Sequence, residues 1–347
     1  MTGGTRPYRV AQWATGTIGA RALREVIAHP HMELAGVYVH TSAKAGRDAG
    51  ELCGAGPTGI AATDRIEDVL ALGADCVLYM PQALDADDVC RLLASGTNVV
   101  TTRGEFHRPA SMAGHLRKRV EAACAEGGTS IHSTGSSPGF ITEALPLVLS
   151  SLQRRLDLLA VDEFADLSQR DSPGLLFDVM GFGRPPATFA AGRLEHARAS
   201  FGPSLELVAD ALGVALDEVA VDGDFATAAR TVDIAAGTLP AGTVAAQRLA
   251  VTGVRNGRPL LRFRATWYCT TELAQGWDVR PTGWHVGVDG DAPLDIAMAF
   301  PVPIERMASV SPAYTANRAV NAVPAVCAAA PGIRTTLDLP GITAVLA

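Results

Sequence analysis

The chain has 347 residues, of which 48% are hydrophobic and 19% charged, with a formal net charge of −7. That length suits two domains of roughly 100–200 residues each, and the composition excludes a largely disordered chain. The acidic balance, with Arg117, Lys118 and Arg119 as its densest basic cluster, argues against nucleic acid as a partner, which needs a concentrated basic face.

Tyr8–Trp13 is a short apolar run before a glycine-containing turn and reads as a buried parallel strand. Ile18–Ala28 follows as a helix ended by His29-Pro30, and Leu34–Val39 as a second strand. Ala45–Gly59 reads as a connector, Ile66–Leu72 as a short helix and Asp75–Met80 as a third strand. Asp85–Ser95 is a helix and Asn98–Thr101 a strand. Pro109–Ala125 is expected as one helix with proline in its first turn, closed by Gly127-Gly128, and Thr129–His132 as the last strand of the series. Strands alternating with helices predict an N-terminal doubly wound parallel sheet of the Rossmann type over residues 1–150.

The rhythm then changes. Leu158–Phe164, Arg262–Tyr268, Trp284–Val288 and Leu294–Phe300 read as strands, and Ser204–Leu212 as helix. This predicts a second α+β domain over 151–310, carrying an open, mainly antiparallel sheet with helices on one face. By analogy with two-domain dehydrogenases, the apolar helix Thr315–Ala329 is expected to pack, with the tail 311–347, back on the first domain. There is no run of about 18 apolar residues to span a membrane, and Met1 to Tyr8 lacks the apolar core of a signal peptide. Six scattered cysteines without a CxxC pair, and eight histidines without HExxH, predict a reduced cytoplasmic chain with no metal.

The turn after the first strand reads Ala14-Thr15-Gly16-Thr17-Ile18-Gly19. It is GxGxxG with alanine in the first glycine position, which is tolerable where the alanine keeps a negative φ. Gly16 is needed so that the backbone can approach a pyrophosphate, and Gly19 for close helix–strand packing. Free amides at the start of the helix then bind phosphate oxygens. The end of the second strand carries no acid before Asp48 to hold a ribose 2′-OH. His40, Thr41, Ser42 and Lys44 can instead surround a 2′-phosphate, which favours NADP(H), with NAD(H) possible. The alternative is a polar loop that accepts either cofactor.

Ligands of such sheets bind beyond the carboxyl ends of the strands. Met80-Pro81-Gln82, Thr102 to Arg108 and Ser133 to Phe140 occupy those ends, making Met80, Thr102, Gly135 and Ser137 cofactor candidates. The middle loop holds Glu105, either a general acid/base or a charge placed at a helix N-terminus. His107 reads as a surface or capping residue. The third loop suits a backbone brought close to nicotinamide or substrate, or a plain interdomain turn, and brings Phe140 to the site. Phe177, Met180 and Phe182 are either an apolar substrate-pocket wall or a core stripe.

With these residues the chain resembles the NAD(P)H-dependent amine dehydrogenases, including 2,4-diaminopentanoate dehydrogenase, often labelled dihydrodipicolinate reductase-like. The resemblance covers most of the chain. It rests on Val10–Gly19, Val39–Gly50, Gly104-Glu105, Gly135–Phe140, Gly283-Trp284-His285-Val286 and Ala319–Ala325, with Asn321 a cofactor candidate in the last of these. Relatives often carry glycine at position 14 and asparagine at 137. The resemblance implies reductive amination of a ketone or aldehyde with ammonia, its reversal, a homodimer formed through the open sheet face, and Glu105 as the catalytic glutamate. The rival expectations are a carbonyl or imine reductase that does not use ammonia, and a non-catalytic redox-sensing Rossmann protein.

Overall fold

The computed structural model describes residues 6–186 and 191–346. The chain divides into two compact units: the stretch to Phe140 together with Ser311 onward, and Ile141–Val310.

The first unit runs through β1 (Tyr8–Trp13), α1 (Thr17–Ala28), β2 (Met32–Tyr38), α2 (Ala49–Cys53) and α3 (Ile66–Ala71). It continues with β3 (Cys76–Tyr79), α4 (Ala86–Ala94), β4 (Asn98–Thr101), α5 (Gly114–Gly127) and β5 (Ser130–Ser133). The second unit contains α6 (Leu145–Ser150), β6 (Leu156–Asp166), α7 (Ala191–Ala211), β7 (Glu218–Thr227), β8 (Val232–Ile234), β9 (Gly237–Leu239), β10 (Val244–Arg255), β11 (Arg258–Tyr268), β12 (Gly283–Gly290) and β13 (Leu294–Ala299). The chain then returns through α8 (Ile304–Ala328) to β14 (Gly332–Arg334).

The first unit is a doubly wound parallel sheet in the order β14-β5-β4-β3-β1-β2. Alternation along each strand sends successive side chains to opposite faces. Val10, Leu78 and Val100 join a core with Leu23 and Val26 of α1 and with Ala316, Ala319, Val320 and Val323 of α8. Ala11, Trp13, Val77, Tyr79 and Val99 join the other core with Val89, Leu92 and Leu93 of α4 and Val120 of α5. The chain steps outward from β1 to β2, then crosses back to β3 on the other side of β1. Loops at the carboxyl ends of β1 and β3 therefore diverge, which opens the crevice where such sheets bind ligands.

Three local expectations are corrected. Pro109 does not start the long helix. It opens a separate one-turn segment, Pro109–Ser111, and α5 begins at Gly114. The last strand of the parallel series is β14, paired to β5 from the far end of the chain, so Ser130–Ser133 is not the sheet's edge. The connector after β2 includes the short helix α2, capped by the Asp48 side chain.

The second unit carries a mixed sheet, β13-β12-β6-β11-β10-β7, in which only β6 and β11 run parallel. Phe201 of α7 stacks on Phe263 of β11 at 4.1 Å between ring centroids, which fixes the face that the helix covers. The alternate residues on the other face are polar, with Arg264 paired to Asp162 at 2.6 Å and His285 to Asp295 at 3.0 Å. No described helix is long and apolar enough to cross a membrane.

Candidate active site

The turn after β1 is shaped by Gln12, a polar side chain 1% exposed inside the sheet. Its Nε2 donates to the carbonyls of Ala14 (2.9 Å), Trp13 (3.2 Å) and Leu78 (3.3 Å). Ala14 is held at φ +71°, which corrects the expectation of a negative φ and explains why glycine suits this position. Gly19 is obligatory on steric grounds, since a Cβ there would lie 2.1 Å from the Ala14 carbonyl oxygen. Gly16 differs: a Cβ there would meet nothing within 4 Å, so its surroundings are open. Gly16 caps α1 without a side-chain hydrogen bond, and no acid stands in the first turn. The helix thus presents its N-terminal amides and positive dipole end without an internal anion.

Lys44 reaches this turn. Its Nζ donates to the Thr15 carbonyl and hydroxyl, each at 3.2 Å. Beside it, Trp13 and Tyr38 stack at 3.7 Å, and His40 meets Tyr38 edge-on at 5.2 Å. His40, Thr41 and Ser42 are exposed. Asp48 faces inward on its own loop: its carboxylate accepts from the Gly50, Thr58 and Gly59 amides at 2.7–3.1 Å. The Thr58 amide leads the bonds that hold it below the usual carboxylate range, so its oxygens are committed before any ribose arrives. Burial pushes the Tyr38 phenol up, with the nearby charges of Asp88, Asp64, Asp85 and Glu67 adding to it. Burial also raises the Asp88 carboxyl, and Asp85 adds to that.

Gly16, Thr17, Ile18 and Gly19 line one groove of about 450 Å³ with Met80, Pro81, Gln82, Thr102 and Arg103. Three strand ends thus meet at the switch point between β1 and β3. The loop after β4 is anchored by Phe106, fully buried under the sheet, and by the Arg103 amide, which donates to Thr101 Oγ1 at 3.1 Å. Ser133 Oγ donates to the Arg103 carbonyl. On this frame Glu105 is gripped at two points by Arg103, Nη2 to Oε1 at 2.5 Å and Nε to Oε2 at 3.2 Å. His107 is 2% exposed, so the expectation of a surface residue is corrected.

In the third loop the Ser136 hydroxyl pairs with that of Thr315 at 2.7 Å, bracing the loop on α8. Gly139 sits at φ +119°, and a Cβ on Gly135 would press on the Pro138 carbonyl oxygen at 3.0 Å. The side-chain oxygens of Thr134 and Ser137 are buried without a hydrogen-bond partner among the described residues. Asn321 is half-buried on α8 and, like Gly135 and Ser137, lies outside the groove lining. Phe140, at the end of the first unit, has the Arg318 guanidinium 5.9 Å from its ring. In the second unit Phe182 is buried in a core with Leu176 and Leu239, and Phe177 and Met180 pack against that core partly exposed.

Gln12 and Arg103 were not singled out in the sequence. The signal for Gln12 was an amide inside a run otherwise buried, which must find partners. The signal for Arg103 was a cation two residues before the candidate glutamate, at a strand's carboxyl end.

Comparison with known proteins bears on the whole chain. The family described as 2,4-diaminopentanoate dehydrogenase C-terminal domain matches residues 140–347, and dihydrodipicolinate reductase, N-terminus, matches residues 13–102. A curated amine dehydrogenase from Streptomyces virginiae is 32% identical over 346 residues, covering 94% of this chain and 95% of its own. The solved structure of an amine dehydrogenase from Mycobacterium smegmatis shares the fold with a TM-score of 0.73 at 18% identity, covering 97% of each chain.

Proposed function

Because the chain belongs to the amine dehydrogenase family with a 2,4-diaminopentanoate dehydrogenase C-terminal domain, and is thus an NAD(P)-dependent oxidoreductase, we propose that it reductively aminates a ketone or aldehyde with ammonia and runs the reverse deamination. The observation that carries this reading is Glu105, a carboxylate anchored beside a dinucleotide groove.

The residues fit the cofactor. The open space at Gly16 and the uncapped start of α1 suit a pyrophosphate. Lys44 supports NADP(H), because its ammonium stands at the turn where a 2′-phosphate would need a cation. Asp88 and Asp85, whose charges reach Tyr38, oppose a second anion there, so the preference is modest and NAD(H) is accepted. Thr102 closes the groove on the β4 side.

Ammonia is mostly ammonium near neutral pH, so attack on a carbonyl requires that a proton be removed first. Glu105 holds the cation and takes that proton, then returns one to the oxygen that leaves as water from the carbinolamine. A nicotinamide cofactor, when held in the groove, would supply the hydride for the iminium carbon. Phe140 is proposed as apolar wall on the first unit, consistent with a small uncharged carbonyl compound. All six cysteines are free, which supports a reducing cytoplasmic setting. The polar sheet face carrying Arg264, Asp162 and His285 is proposed as the homodimer surface.

The test is NADPH consumption on a panel of ketones and aldehydes, with and without ammonium. Turnover that requires ammonium supports the proposal, and equal turnover without it replaces the proposal by a carbonyl reductase.

A further inference from the structure

Arg103 serves two places at once. Three of its N–H groups are used: Nε and Nη2 grip Glu105, and Nη1 donates to the Gln82 carbonyl at 2.6 Å. A guanidinium has five N–H donors in a fixed plane, so one remains on each terminal nitrogen. The side chain is 27% exposed and lines the same groove as Gly16 to Gly19. Its backbone is pinned at both ends, by Thr101 Oγ1 and by Ser133 Oγ, so the guanidinium is delivered from a rigid base.

An anionic ligand in the groove would thus share one cation with the Glu105 carboxylate. Two anions on one guanidinium oppose each other, and filling the groove redistributes a charge that otherwise serves Glu105 alone. We propose that Arg103 is a positioning residue that couples the two: it orients Glu105 by its two-point grip and lends its remaining charge to the dinucleotide. The proposal rests on the reading of Glu105 as the acid/base. A lysine in its place would keep the charge for the groove but lose the planar grip on the carboxylate.

The test is a double-mutant cycle read by NADPH affinity, which needs no turnover and so stands apart from the amination reading. Fluorescence titration is run on wild type, Glu105→Gln, Arg103→Gln and the double variant. Glu105→Gln removes the competing anion and is expected to tighten NADPH by ~3-fold. Arg103→Gln is expected to weaken it by ~10-fold. In the double variant the tightening should vanish. Equal tightening by Glu105→Gln with and without Arg103, or unchanged affinity in folded Arg103→Gln, overturns the proposal. Arg103→Lys supplies the kinetic arm: affinity within ~3-fold of wild type and kcat lowered by ~10-fold or more. A lysine variant that loses affinity as fully as Arg103→Gln, or that keeps full kcat, overturns it as well.

Discussion

Gly16 and Gly19 are two glycines of one turn with different work, and substitution separates them. Gly16→Val should leave the melting temperature near wild type, because its surroundings are open, while weakening cofactor affinity by roughly 10²-fold through loss of pyrophosphate space. Gly19→Ala should instead destabilise the fold, since its methyl meets a backbone oxygen. Thermal melts beside cofactor titrations check both. Ala14→Gly should stabilise by ~1 kcal/mol, as it relieves a left-handed alanine. The glycine positions were legible from spacing alone, but the φ of Ala14 was not, because it depends on Gln12 reaching three carbonyls that no local pattern displays. Glu105 was legible as the acid at a strand end. Its partner was missed because the two-point grip is a matter of side-chain direction.

At the scale of elements, the loop after β2 is proposed to set cofactor choice. Lys44→Ala combined with His40→Asp should lower the NADPH-to-NADH ratio of kcat/KM, since the new acid can bond a 2′-OH and repels a 2′-phosphate. An unchanged ratio assigns the discrimination elsewhere. The same loop is held by Asp48, whose carboxyl lies below its ordinary value of 3.8 when folded. A depressed folded value means that the stabilisation is fully present above the unfolded value and is lost as pH falls through the folded one. Amide exchange at Thr58 and Gly59 should therefore speed up below about pH 4 relative to the rest of the first unit. Asp48→Asn should show fast exchange there already at neutral pH. Strands with a clean boundary, such as Asn98–Thr101, were legible from their apolar run. β10 was not, because it is buried on both faces over most of its length and shows no alternation to mark it as a strand. Pro109 misled because proline suits any first turn, and the turn that it opens here ends after Ser111.

At the scale of the whole molecule, the first unit is discontinuous in sequence. Ala316, Ala319, Val320, Ala322, Val323 and Val326 of α8 are at most 2% exposed in its core, and β14 completes its sheet. A fragment ending at Phe140 leaves that core open and β5 without its outer partner, so it should show no cooperative melt. Val323→Ala in the full chain should cost roughly 2–4 kcal/mol, read by denaturant unfolding. The alternating strands and helices made the parallel sheet readable. The sixth strand was not, because its three residues lie far from the series and carry no periodicity of their own. The central claim is that this chain joins ammonia to a carbonyl carbon under the control of Glu105. The most direct measurement supplies ammonium labelled with heavy nitrogen, NADPH and an accepted carbonyl compound, and analyses the product by mass spectrometry for wild type and Glu105→Gln. The account predicts a labelled amine from wild type and a rate ~10²–10⁴-fold lower from Glu105→Gln with cofactor binding retained. An unlabelled alcohol as the product, or a Glu105→Gln variant that aminates at the wild-type rate, would contradict it.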